Sequence, residues 1–152
     1  MIYSILAFIK SHPAIVIFLL FIAYRQVSLH FARKVTVAGS RVNDIASAAD
    51  LKKLLESNEI VILDFHADWC PGCVYAAPEF AKLSKVYTNV VFAKVNTDVC
   101  GDLAEEYGIQ SLPTFKLILK SNVTETFVGF DRSGITVKLV AAGGVEERSK
   151  ID

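Results

Sequence analysis

Cys70 and Cys73 are separated by Pro71-Gly72 and follow the run Val61-Ile62-Leu63-Asp64-Phe65-His66-Ala67-Asp68-Trp69. Its apolar part is long enough for a strand. Beyond the cysteines, Val74, Ala77, Phe80, Ala81, Leu83 and Val86 recur at helical spacing from Pro71 to about Tyr87, interrupted by Pro78. A strand that delivers two thiols to the start of a helix makes one of them reactive. The thiolate is the nucleophile, and the free N–H groups and positive dipole end of a helix start lower a thiol's pKa. Cys70, at the junction, is the expected nucleophile. Cys73, one turn in, is the expected resolving thiol that closes a disulfide with it. The competing chemistry is half of a structural zinc site, which needs four ligands. There is no second CxxC and no HxxxH, and His66 and Cys100 complete a set only by tertiary accident. The expected chemistry is thiol redox, with no metal and no bound cofactor.

The elements that must hold these thiols can be read in order. Val35-Thr36-Val37 alternates and predicts a short strand, where the globular part begins. Ser47 is a helix start signal, and Leu51, Leu54 and Leu55 give Ala48 to Glu56 a helical stripe. Ile60 to Phe65 is apolar except for Asp64, the pattern of a strand buried on both faces. Val90 to Val95 predicts a third buried strand, and Gly101 to Tyr107 a short helix closed by Gly108. Thr114 to Leu119 and Thr124 to Val128 predict a hairpin. Gly134 to Ala142 predicts a last helix, and residues 143–152 a mobile polar tail. Strands alternating with helices and ending in a hairpin predict an α/β domain over 35–142, a mixed sheet with helices on both faces.

The chain of 152 residues suits one such domain. Its formal net charge of zero hides an asymmetry. Residues 1–43 hold five Lys or Arg and no acid; the 11 basic residues left of 16 face 16 acidic ones in 44–152, a net of −5. A mildly acidic globule without a basic stripe argues against nucleic acid as a partner. Three cysteines are too few for a disulfide-stapled fold.

Residues 2–24 are mostly apolar, broken at Lys10-Ser11-His12-Pro13. Taken whole they reach the length of a membrane-spanning helix, about 20 residues, although Lys10 and His12 weaken that reading and Pro13 would kink the helix. Segment 1–34 is therefore expected to be a transmembrane anchor, with a mitochondrial targeting segment and a cleaved signal peptide as alternatives. Arg25, Arg33, Lys34 and Arg41 follow the apolar block, and only Lys10 and the amino terminus precede it. The positive-inside rule then leaves the globule in the cytosol. The sequon Asn122-Val123-Thr124 matters only for a lumenal domain.

The segment Asp64 to Cys73 resembles the active-site segment of the thioredoxin family, in which an Asp lies in the strand and Trp-Cys-Gly-Pro-Cys opens a helix. Pro78 is similar to the family's helix proline, and Phe92-Ala93-Lys94-Val95-Asn96-Thr97-Asp98 to the strand whose lysine pairs with the buried Asp. Tyr107 to Thr114 resembles the segment ending in a cis-proline, and Val128-Gly129 the glycine of the substrate-binding surface. The resemblance covers about 35–142 and implies the thioredoxin fold and a thiol-disulfide oxidoreductase that reduces protein disulfides. It implies that Asp64 is proton acceptor and donor, that Lys94 is its partner, and that Trp69, Leu112, Pro113 and Gly129 bind substrate. Burial in an apolar strand supports the first by raising the Asp64 pKa. A cis Pro113 would leave the Leu112 backbone free to pair with an extended substrate chain. Implied partners are disulfide-containing targets and a thioredoxin-reductase-type electron donor. A lumenal or extracytoplasmic oxidase or isomerase and a tethered, non-catalytic interaction module are the rival readings.

Two departures from the family pattern stand out. Pro71-Gly72 reverses the usual dipeptide. It places Pro71 at the first helical position, where its missing N–H costs nothing, and it leaves an N–H on Gly72 that is expected to reach the Cys70 sulfur, stabilise its thiolate and make the dithiol a weaker reductant than is usual in the family. His66 takes a place often held by Trp or a small residue, either as a pH-sensitive group or as a packed strand-end side chain. Cys100, the odd thiol, starts the third helix; a reactive and a buried, inert thiol are both open.

Overall fold

The computed structural model describes residues 13–33 and 39–147. They fall into two units, one within Met1–Val35 and the other within Thr36–Asp152. The first unit contributes helix α1, Pro13–Arg33. The second holds β1 Val42–Ile45, α2 Ala48–Glu56, β2 Ile60–His66, α3 Pro71–Val86, β3 Val91–Asn96, α4 Gly101–Glu106, β4 Thr114–Leu119, β5 Asn122–Val128 and α5 Arg132–Ala141.

The sheet runs β1-β3-β2-β4-β5. β1, β3 and β2 are parallel, and β4 and β5 are antiparallel to their neighbours. The central strand β2 is buried along its length up to Phe65, which is why its sequence does not alternate. Ile60 and Ile62 pack with Phe80 and Leu83 of α3 and Ile135 and Leu139 of α5. Val61, Leu63 and Phe65 pack on the opposite side with Leu51 of α2 and Leu103 of α4. The result is a mixed sheet between two helical layers, as the element order predicts.

Helix α2 starts where local chemistry says it should. Ser47 Oγ accepts from Asp50 N–H at 3.2 Å and donates to the Asp50 carboxylate at 2.8 Å, an N-cap that satisfies donors the helix leaves free. Helix α3 continues through Pro78 without a break. The hairpin is tighter than expected. Only Lys120 and Ser121 connect β4 and β5, both at positive φ, 49° and 64°, the geometry of a two-residue hairpin loop. Strand β5 therefore begins at Asn122, two residues before the expected Thr124. Helix α5 begins at Arg132, ahead of the expected Gly134.

Three expectations need amendment. The strand at 35–37 lies outside the described residues, and the first described strand is β1. The start of the tail is not loose. Val145 N–H donates to Asn89 Oδ1 at 2.7 Å and Glu147 N–H to the Val86 carbonyl at 2.8 Å; backbone pairing therefore carries the chain on to Glu147, with the rest outside the described residues. Finally, among the described residues no helix is long and apolar enough to cross a membrane. The uninterrupted apolar block of α1, Ala14 to Tyr24, gives about 16 Å of helix, against a hydrocarbon core about 30 Å thick. The other half of the expected span, residues 2–12, lies outside the described residues.

Candidate active site

Cys70 is the N-cap of α3, with extended backbone at φ −83° and ψ 113°, and Pro71 takes the first helical position. An N-cap side chain accepts from the second or third N–H of the helix. Here it is the third: Cys73 N–H donates to Cys70 Sγ at 3.1 Å. The two residues form a disulfide with Cα atoms 5.3 Å apart. Both are buried, in a small cluster with Ala67 and half-buried Leu112. The expectation that Gly72 supplies the donor to Cys70 is corrected: Cys73 does so. Gly72 is instead pressed against Pro113. A Cβ on it would lie 3.1 Å from Pro113 Cδ, so a larger residue there would have to displace the proline ring by a few tenths of an ångström. Pro71 is left as the feature of the dipeptide that bears on the helix start.

The Leu112–Pro113 peptide is cis, as the resemblance implies. Thr114 Oγ1–H donates to the Ser111 carbonyl at 2.7 Å, and Gly129 N–H, at φ +79°, donates to the Pro113 carbonyl at 2.8 Å. Gly129 thus braces the proline segment. Among the described residues, the backbone N–H and carbonyl of Leu112 have no hydrogen-bond partner. They border an open groove of about 430 Å³ lined by Trp69, Cys70, Gly72, Ile109, Ser111 and Leu112, among others. Trp69 is 62% exposed, lines the groove beside Cys70 and donates from Nε1–H to Asp98 Oδ1 at 3.2 Å. Asp98 is held in turn, its N–H donating to Asn96 Oδ1 at 2.9 Å. Sequence reasoning missed Asp98 as a site residue, because an acid in a polar turn carries no signal of its own.

Asp64 lies in the middle of β2, 3% exposed, and its Oδ1 has no hydrogen-bond partner. Burial raises its pKa from 3.8 to about 7, and the positive charge of Lys94 opposes the rise. The expected Asp64–Lys94 pair is corrected at the level of contact: Lys94 Nζ sits 3.0 Å from Asp44 Oδ1. The physical reason is solvation. Asp44 is 79% exposed and Lys94 39%, so the ammonium pairs while keeping its water. Contact with Asp64 would strip part of that water, so Lys94 prefers the exposed Asp44 while that acid is charged. Lys94 still acts on Asp64 through space.

His66 ends β2 half-buried. Burial lowers its pKa and Lys94 adds to the fall, against the nearby carboxylates Asp68, Asp44 and Asp98. Burial, the largest effect, favours the neutral imidazole, in keeping with the packed reading. Cys100 is buried, with Sγ 3.8 Å from the Ile45 carbonyl, and packs in the core beside Leu103. Among the described residues no cluster of His, Cys, Asp or Glu could hold a metal ion.

Residues 42–141 match the thioredoxin family model. A thioredoxin of Mycoplasma pneumoniae is 42% identical over 100 residues, covering 66% of this chain and 98% of that protein. Thioredoxin H4 of Arabidopsis thaliana is 36% identical over 110 residues, covering 72% of this chain and 92% of that protein. A crystal structure of a thioredoxin from Nicotiana alata superposes with a TM-score of 0.67 at 30% identity, covering 70% of this chain and 96% of that one.

The state of Asp64 should be visible in stability. Its folded pKa of about 7 lies above the unfolded 3.8, so the folded state holds the proton more tightly. Stability from this group is full below about pH 4 and is lost as pH rises through about 7. At 1.36 kcal/mol per unit the loss reaches on the order of 4 kcal/mol. In urea unfolding from pH 4 to 8, the parent should lose up to that amount relative to Asp64→Asn; parallel pH curves for the two proteins would contradict the buried, partnerless state.

Proposed function

The chain belongs to the thioredoxin family, and from that premise we propose how its own residues carry the family's activity and where they do so. It is a thiol-disulfide oxidoreductase whose dithiol is Cys70 and Cys73. In the proposed cycle the Cys70 thiolate attacks one sulfur of a target disulfide. The target S–S bond breaks, and its second sulfur leaves as a thiolate and takes a proton. The Cys73 thiol then gives its proton to the Asp64 carboxylate and attacks Cys70 Sγ. The Cys70–target bond breaks, the target sulfur bound to Cys70 leaves as a thiolate and takes a proton, and the Cys70–Cys73 disulfide remains; the target disulfide has gained two electrons in all. A thioredoxin-reductase-type donor returns two electrons. Trp69 and the unpaired Leu112 backbone, braced by Pro113 and Gly129, hold the target chain in the groove by strand addition.

The observation that carries the assignment is that Cys70, and not Cys73, borders the groove, at a helix N-cap where the Cys73 N–H points at its sulfur. Such a donor favours the thiolate. Cys73→Ser should therefore trap a covalent mixed disulfide with insulin, while Cys70→Ser traps none and reduces insulin no faster than buffer. The reverse trapping pattern would exchange the two roles.

The proposal includes a tether. Ile15, Ile17, Phe18, Leu19, Leu20, Phe21, Ile22 and Tyr24 of α1 are 39–72% exposed, and a helix apolar all round is at home in lipid. With residues 2–12 the apolar stretch reaches spanning length. The basic residues after it favour a catalytic domain on the cytosolic face. Carbonate extraction of membranes from expressing cells should leave the full chain in the pellet, and protease added outside intact microsomes should degrade the domain. Release by carbonate would contradict the anchor, and protection of the domain would contradict its side.

A further inference from the structure

Three charged side chains stand in one row across the sheet. Asp44 of β1 is in register with Lys94 of β3, and Lys94 with Asp64 of β2. Neighbouring strands lie about 4.8 Å apart and residues in register share a face, so Lys94 stands between an acid on either side. It contacts one of them. Its Nζ is 3.0 Å from Asp44 Oδ1, and Asp64 Oδ1 has no hydrogen-bond partner. The row runs from water to core: Asp44 is 79% exposed, Lys94 39% and Asp64 3%.

We propose that Asp44 is a positioning residue for the reaction: by holding the Lys94 ammonium at the watered edge of the row, it keeps Asp64 without a contact counter-ion. The inference rests on the reading of Asp64 as the proton acceptor for Cys73. A carboxylate clamped by an ammonium is a weak base. One left alone in an apolar site takes a proton near neutral pH, where a proton acceptor works best. Asp44 would thus act on the chemistry from the opposite strand of a parallel trio, without touching thiol or target.

The surroundings of Asp64 make the sign unambiguous. Along its own strand is His66. From β3 comes Lys94, and beyond it on β1 Asp44. Its β4 neighbour is Phe115. The helix packed on this face contributes buried Cys73, Ala76 and Phe80. Asp68 and Asp98 lie near His66, past the strand end. Removing the Asp44 charge has two effects on Asp64. The like-charge repulsion disappears, and the Lys94 side chain is free to turn toward it. Both favour the Asp64 carboxylate.

The test is direct titration of the Asp64 carboxyl by ¹³C NMR in the full chain, beside the pH profile of insulin reduction. Four proteins are needed: parent, Asp44→Asn, Lys94→Gln and the double variant. Asp44→Asn should lower the Asp64 midpoint by about half a unit, and Lys94→Gln should raise it. In the Lys94→Gln background the Asp44→Asn shift should shrink to the remainder due to simple repulsion. An equal shift with and without Lys94 would overturn the positioning role, and so would no shift. If the midpoint falls while the turnover profile stays in place, Asp44 does position Lys94, and it is the assignment of Asp64 to the proton transfer that fails.

Discussion

The structure depends on a carboxyl group that is almost entirely buried, 3% exposed. Asp64 sits on the central strand of the sheet, between strands paired on both sides, with one oxygen unmatched by any donor. That arrangement destabilises the fold at neutral pH, because a charge there lacks both solvent and a contact counter-ion. A protein selected for stability alone would place Leu at this position. The residues of β2 from Ile60 to Leu63 and Phe65 are all apolar, so the acid is an isolated exception in the buried part of the strand. Isolated exceptions of this kind mark functional sites more often than errors of folding.

The remaining site features follow from the same economy of backbone placement. The parallel trio β1, β3, β2 delivers the dithiol to a helix start and aligns Asp44, Lys94 and Asp64. The antiparallel β4 brings the cis-proline segment to the opposite side of the sulfurs. Gly72 lets the helix start approach Pro113, and the Gly129 N–H ties the proline carbonyl. The sulfur of Cys70 ends up bordering an open groove beside a backbone segment with unpaired polar groups. In the proposed cycle that segment takes the extended target chain beside the thiol.

Much of this was legible in the sequence, for identifiable reasons. Helix α2 could be read to its first residue because Ser47 and Asp50 cap it locally. Strand β2 was legible because burial on both faces writes an unbroken apolar run. Asp64 was legible as the polar break in that run. The cis state of Pro113 came only through family resemblance, since nothing local distinguishes it. What escaped depends on three-dimensional register and solvation. No local pattern says that Lys94 turns to Asp44, because that choice compares the hydration of an ammonium at two places in the fold. The Trp69–Asp98 contact joins two loops and has no periodicity to announce it. The start of β5 was placed two residues late because Lys120 and Ser121 adopt a left-handed turn without the glycine or asparagine that normally signals one.

In the proposed cycle Asp64 takes the Cys73 proton. The direct measurement is the rate at which Cys73 resolves a preformed mixed disulfide between Cys70 and a coloured aromatic thiol, followed by stopped flow across pH in the parent and in Asp64→Asn. The parent rate should rise through an inflection near pH 7, the titration of Asp64. Asp64→Asn should lose that inflection and resolve about 10²-fold more slowly at neutral pH, the low end for a positioned acid–base group. Superimposable profiles for the two proteins would contradict the account.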